Sequence, residues 1–201
     1  MKVLMKNLKE NLQMAEQSDL ERKWQDMKDH VTASRQELDG MAICPFAKMG
    51  FKRNEVVVHW VGKDMFKIAN QTLEDYPLGK QLVLCIGDPN DYTLDELEQW
   101  ENDNQSKAVS NDLYIYTSYK SEDKQESVGV EKNTDKLIPG LGSGNKGLAI
   151  IQIQGLSDLN EKSEWVHQNT KYYDKWNKKY YDAIVKRRYR DSNYDSEEFE
   201  K

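Results

Sequence analysis

Cys44 is the residue of this chain with the clearest claim to chemistry. It stands in Met41-Ala-Ile-Cys-Pro-Phe-Ala-Lys-Met-Gly50. Pro45 lacks a backbone N–H and has a fixed φ, so it suits the first position of a helix and biases Cys44 toward extended geometry. Cys44 therefore reads as an N-cap, with Gly50 as the end of a short helix. A thiol at a helix start faces unpaired N–H groups and the positive end of the dipole, which favour the thiolate, the nucleophilic and metal-binding form. Three readings stand side by side: a buried packing cysteine, a reactive thiolate, and a metal or haem ligand.

A nucleophilic Cys44 needs a base or an electrostatic partner. Lys48 lies one helical turn on, and His59 lies near the end of an apolar run. A histidine in such a place also serves as a satisfied core residue. Asp88, in Gly87-Asp-Pro-Asn-Asp91, suits orienting a base or binding a cation, and equally suits a plain turn. Cys85 falls within an apolar strand and reads as core. No residues are singled out as metal or cofactor ligands, and the cofactor is left open.

The residues Ile43, Cys44, Pro45, Phe46, Ala47 and Lys48, followed after a short gap by a valine-rich strand at 55–61, resemble an uncharacterised family of small bacterial α/β proteins. That family carries a Leu-Cys-Pro-Phe-Ala signature near the start of its domain. The resemblance implies an α/β fold organised around Cys44, and it implies no activity or substrate.

The elements that must position these residues follow from periodicity. Leu4, Leu8, Leu12 and Ala15 recur at helical spacing. Ser18 with Glu21 then forms a capping box for a second helix, whose stripe is Leu20, Trp24, Met27, Val31 and Leu38. His30, beside that stripe, reads as a helix residue. Strands are expected at 55–61, 81–86, 112–119 and 148–154. Val56-Val57-Val58 suggests a first strand covered on both faces. Helices are expected at 64–75 and from the Thr93/Glu96 capping box to about 103, with a last long helix from Ser157 to about Arg190.

The fold class is thus α/β, a single domain with a mostly parallel sheet of about four strands and crossover helices. A helical arm at 1–40 precedes it, a flexible loop at 120–147 interrupts it, and an acidic tail at 191–201 follows. Pro139 to Gly147 is rich in glycine and ends near Lys146. It does not match a phosphate loop, because it leads into a strand rather than a helix. In open α/β sheets, ligands bind outside the carboxyl ends of the strands. That rule selects Trp60 to Gly62, Gly87 to Asp91, and Ser118 to Tyr119, an edge that the extended chain from Arg53 back to Cys44 could reach by spanning ~30 Å.

Bulk properties narrow the partners. The net charge of −6 over 201 residues argues against whole-surface attraction to nucleic acid or anionic membrane. No run approaches the ~20 apolar residues of a membrane span, and residues 1–10 lack the apolar centre of a signal peptide, so a soluble, cytoplasmic protein is expected. Two cysteines form no disulfide framework. Lys171 to Arg190 mixes basic and aromatic residues, a composition that suits nucleic acid or an acidic protein partner. The expected function is a thiol-dependent enzyme or redox protein acting through Cys44 on a small-molecule or thiol substrate. The alternative is a non-catalytic binding protein that uses the basic aromatic segment.

Overall fold

The computed structural model describes residues 19–34, 36–38, 40–119, 147–176 and 178–192. The helical stripe at 4–15, the Ser18 cap, the glycine-rich loop up to Lys146 and the acidic tail from 193 lie outside these residues.

Four strands build one sheet: β1 Val56–Trp60, β2 Leu82–Gly87, β3 Leu113–Tyr119 and β4 Ala149–Gly155, in the order β1-β2-β4-β3. β1 and β2 are parallel, while β4 runs antiparallel to both β2 and β3. The sheet is therefore mixed, which corrects the expected mostly parallel arrangement. The first three strands do share one direction, as their intervening helices require. β4 inserts between β2 and β3 because Ala149, Ile150, Ile151 and Ile153 are buried on both of its faces, and only a central position covers both. β1 is left at an edge, half-buried along its whole length.

Helices cover the two faces. α1 (19–32) and α2 (Pro45–Lys52) lie on one face, where Trp24, Met27, Val31 and Ala47 pack with Leu82, Leu84, Ile86, Leu148 and Ile150. α3 (Met65–Glu74) and α4 (Leu94–Ser110) cover the other, with Met65, Ala69, Leu73, Leu97 and Trp100 against Val83, Cys85, Ile151 and Ile153. The α4 capping box forms as its residues dictate: Glu96 N donates to Thr93 Oγ1 at 3.2 Å and Thr93 N donates to Glu96 Oε2 at 2.8 Å. α4 runs to Ser110, one to two turns past its expected end. Gly50 does not end α2; it lies inside the helix, where a Cβ would come within 3.0 Å of Val56 Cγ2.

The expected long last helix is two pieces. α5 (Leu156–Asn169) stops at Thr170, whose backbone is extended at φ −144° and ψ 168°. A second helical stretch covers 178–191, with a π turn at Asp182–Lys186. Between them Tyr172, Tyr173 and Trp176 turn inward and join Leu38, Ile43, Val166, Val185 and Tyr189 in a third core cluster. A straight helix over 157–190 could not bring all these aromatics to one place, so burying them breaks it.

Candidate functional site

The cysteine turn forms as its residues predict. Cys44 has φ −122° and ψ 90°, caps α2, and its Sγ accepts from Ala47 N at 3.5 Å. Pro45 is the first helical residue. Two further bonds fix the turn: Cys44 N donates to Val31 O at 2.9 Å, and Gln81 Nε2 donates to Phe46 O at 2.9 Å. The electrostatics run against the thiolate. The residue keeps some exposed surface, but its sulfur is desolvated, and burial pushes the thiol up to about 11 despite the opposing N–H groups of Ala47 and Phe46.

The other expected site residues do not gather around it. Lys48 Nζ donates to Ser34 Oγ at 2.6 Å. His59 pairs in register with Cys85, whose side chain lies on the α3/α4 face, whereas Cys44 packs with the residues of the opposite face. A strand side chain cannot cross its own sheet, so His59 cannot serve as the base for Cys44. The same separation rules out a Cys44–Cys85 bridge. Asp88 stands at the carboxyl end of β2, where its Oδ1 accepts from Asn90 N at 2.8 Å in a turn. Cys85 is fully buried, and burial pushes it up to about 12.

At the carboxyl ends of the parallel strands the described loops are tied together. The Tyr92 hydroxyl donates to Gly62 O and accepts from Met65 N, and the Tyr119 hydroxyl donates to Pro89 O at 3.3 Å. Open space among the described residues lies over the sheet face nearer the amino end of β3. There a part-enclosed cavity of about 100 Å³ is bounded by the Cys44 turn, by Tyr114 and Tyr116 of β3, by Gln152 and Gln154 of β4, and by the carboxy-terminal segment. The register explains the polar floor. Tyr114 pairs with Gln154 and Tyr116 with Gln152, and the two glutamines alternate with buried isoleucines along a central strand. The roof is Tyr172, Tyr173, Trp176 and Arg188.

Several cavity groups are locked from behind. The Tyr172 hydroxyl donates to Ile43 O, joining the roof to the cysteine turn across 129 positions. Tyr173 bonds Ser163 and stacks on His167 at 4.1 Å between ring centroids. The Tyr181 hydroxyl meets His167 Nε2 at 2.8 Å. Burial and the nearby Arg188 charge push His167 down to about 4, so the ring is neutral near pH 7. Tyr114 and Tyr173 are both pushed up to about 12, chiefly by burial.

The basic aromatic segment divides between core and surface. Tyr172, Tyr173, Trp176 and Tyr189 are buried in the third cluster, so these rings are not presented to bases. Lys178, Lys186, Arg187 and Arg190 remain on the surface. Among the described residues no three His, Cys, Asp or Glu side chains converge as metal ligands, and no helix is long and apolar enough to cross a membrane. Sequence reasoning missed the cavity residues of β3, β4 and the roof. The one signal for them was Gln152 and Gln154 at alternate positions of an apolar strand. Compared with protein-family models, curated proteins and solved structures, the chain matches none.

Proposed function

We propose that this chain binds a small molecule in the cavity between the Cys44 turn, the β3–β4 face and the carboxy-terminal segment. The observation that carries this reading is convergence. Four stretches distant in sequence supply aromatic walls together with buried glutamine and arginine side chains around one space. Small-ligand sites have this composition, mostly apolar with a few placed polar groups. Core packing alone would favour filling that space with apolar side chains. The resemblance at Ile43–Lys48 directs attention to the same turn and brings no activity with it.

The reading is tested by a fragment screen that follows the Trp176 indole resonance, with Ile184→Phe as the filled-cavity control. Ile184 lines the space, and the added ring volume costs about 1–3 kcal/mol of stability. Hits that shift Trp176 in the wild type and fail to bind the folded variant support the site. Equal binding to both would place the ligand elsewhere.

A second reading, a thiol-dependent enzyme or redox protein, is favoured by one observation: Cys44 lines this same cavity. Its thiol is protonated at rest, so the reaction would need the bound substrate to draw off the proton. A wild-type turnover that survives Cys44→Ser would remove this reading.

A further inference from the structure

One buried charge narrows the chemistry of the ligand. Arg188 lines the cavity and is 4% exposed. Its Nε donates to Asn160 Oδ1 at 2.6 Å, a neutral acceptor, and Asn160 is itself fully buried. Its Nη2 is buried and makes no hydrogen bond of normal geometry, and the Tyr173 hydroxyl that stands near the guanidinium is a neutral group. None of the described ion pairs involves Arg188. The rings of Tyr114 and Tyr189 stand 6.0 Å and 5.4 Å from its guanidinium carbon, and their faces attract the cation without neutralising it.

A buried lysine or histidine can escape such a situation by losing its proton, but a guanidinium cannot. The charge therefore persists in the wall. Its reach is visible in the neighbouring groups, since it opposes the upward shifts of Tyr114 and Tyr173 and adds to the downward shift of His167. Unpaired buried cations are costly, and a guanidinium presents a planar fork of donors that matches a carboxylate. Gln152 lines the same cavity, and its Oε1 is a second buried polar atom without a partner; as an acceptor it suits a proton donor and does not face the carboxylate.

We infer that the cavity takes a small organic acid, its carboxylate against Arg188 Nη2 and its short apolar tail among Phe46, Tyr116 and Trp176. This inference rests on the ligand-binding reading above. The volume sets the tail length: about 100 Å³ is smaller than the roughly 150 Å³ cavity that accommodates benzene. A tail of a few carbons fits. The mostly aromatic walls favour such an acid over inorganic phosphate, which has no apolar part to bury.

The test compares butyrate, its uncharged isostere butyramide and inorganic phosphate on the full chain. Calorimetry and thermal unfolding are read at constant ionic strength in chloride-free buffer. Butyrate is expected to bind and raise Tm, with butyramide and phosphate each weaker by at least about tenfold, as loss of a charge-assisted contact or of the apolar tail requires. Arg188→Gln should remove the preference for butyrate over butyramide. Should that variant fail to fold, the wild-type Arg188 side-chain Nε–H resonance serves instead, shifting with butyrate and not with butyramide. Equal binding of butyrate and butyramide would overturn the carboxylate inference while leaving the cavity a ligand site. Phosphate binding without butyrate would also overturn it. Failure of all three, together with a fragment screen that leaves Trp176 unmoved, would overturn the ligand-binding reading itself.

Discussion

At Cys44 two effects act on one sulfur. The helix-start N–H groups of Ala47 and Phe46 lower its pKa, and desolvation raises it; desolvation is the larger, and the thiol ends at about 11. Alkylation of Cys44 in a Cys85→Ser background should therefore be slow at pH 7 and rise toward a midpoint near that value. A midpoint below that of a free cysteine, ~8.5, would contradict this. The sign for stability follows. The folded pKa lies above the ordinary thiol value, so the contribution of the protonated thiol is complete below pH 9 and is lost as pH rises through about 11. His167 runs the other way on the acid side. Its folded pKa of about 4 lies below 6.5, so stability is full above pH 6.5 and falls toward pH 4 as the unfolded chain gains a proton the folded chain refuses. The ring is only partly buried, so the loss is discounted to about 1–2 kcal/mol. Denaturant melts at the two pH values, with His167→Gln as control, check it: the variant should lose most of the pH dependence.

Among the elements, the junction of β2 with α3 depends on a missing side chain. A Cβ at Gly87 would stand 2.8 Å from Tyr92 Cε2 and 2.9 Å from Met65 Cε. Gly87→Ala should destabilise by about 1–3 kcal/mol, read as a lower urea midpoint with an unchanged slope. Local signals of this kind were legible in the residues. Pro45 announced the cap at Cys44, Thr93 with Glu96 announced α4, and the Val56–Val58 run announced β1. Where partners mattered more than neighbours in sequence, legibility failed. The face of His59 depends on the pairing of β1 with β2, and the place of β4 depends on which strands flank it. The stretch 157–190 reads as one helix because aromatics at helical spacing look alike whether the chain runs straight or folds back at Thr170. The isoleucines of β4 spoke for burial. The glutamines between them spoke for a polar patch on one face, and that patch became legible only once Tyr114 and Tyr116 were aligned beside it.

For the whole molecule, the cavity exists because distant stretches close on one another. The Tyr172 hydroxyl on Ile43 O is the bond that ties the roof to the cysteine turn. Tyr172→Phe leaves that buried carbonyl unpaired and should cost about 1–3 kcal/mol in chemical denaturation, with weaker ligand binding as the roof loosens. An unchanged midpoint would show that the aromatic packing around Trp176 holds the roof by itself. The central claim, that the space beside Cys44 is a ligand site, is tested most directly by protection. Cys44 in a Cys85→Ser background is alkylated at about pH 10, where its thiolate is populated enough to react, with and without butyrate. Alkylation should slow over the same butyrate concentrations that raise Tm, with butyramide leaving the rate unchanged. A rising Tm with an undiminished alkylation rate would place butyrate away from Cys44 and contradict the account.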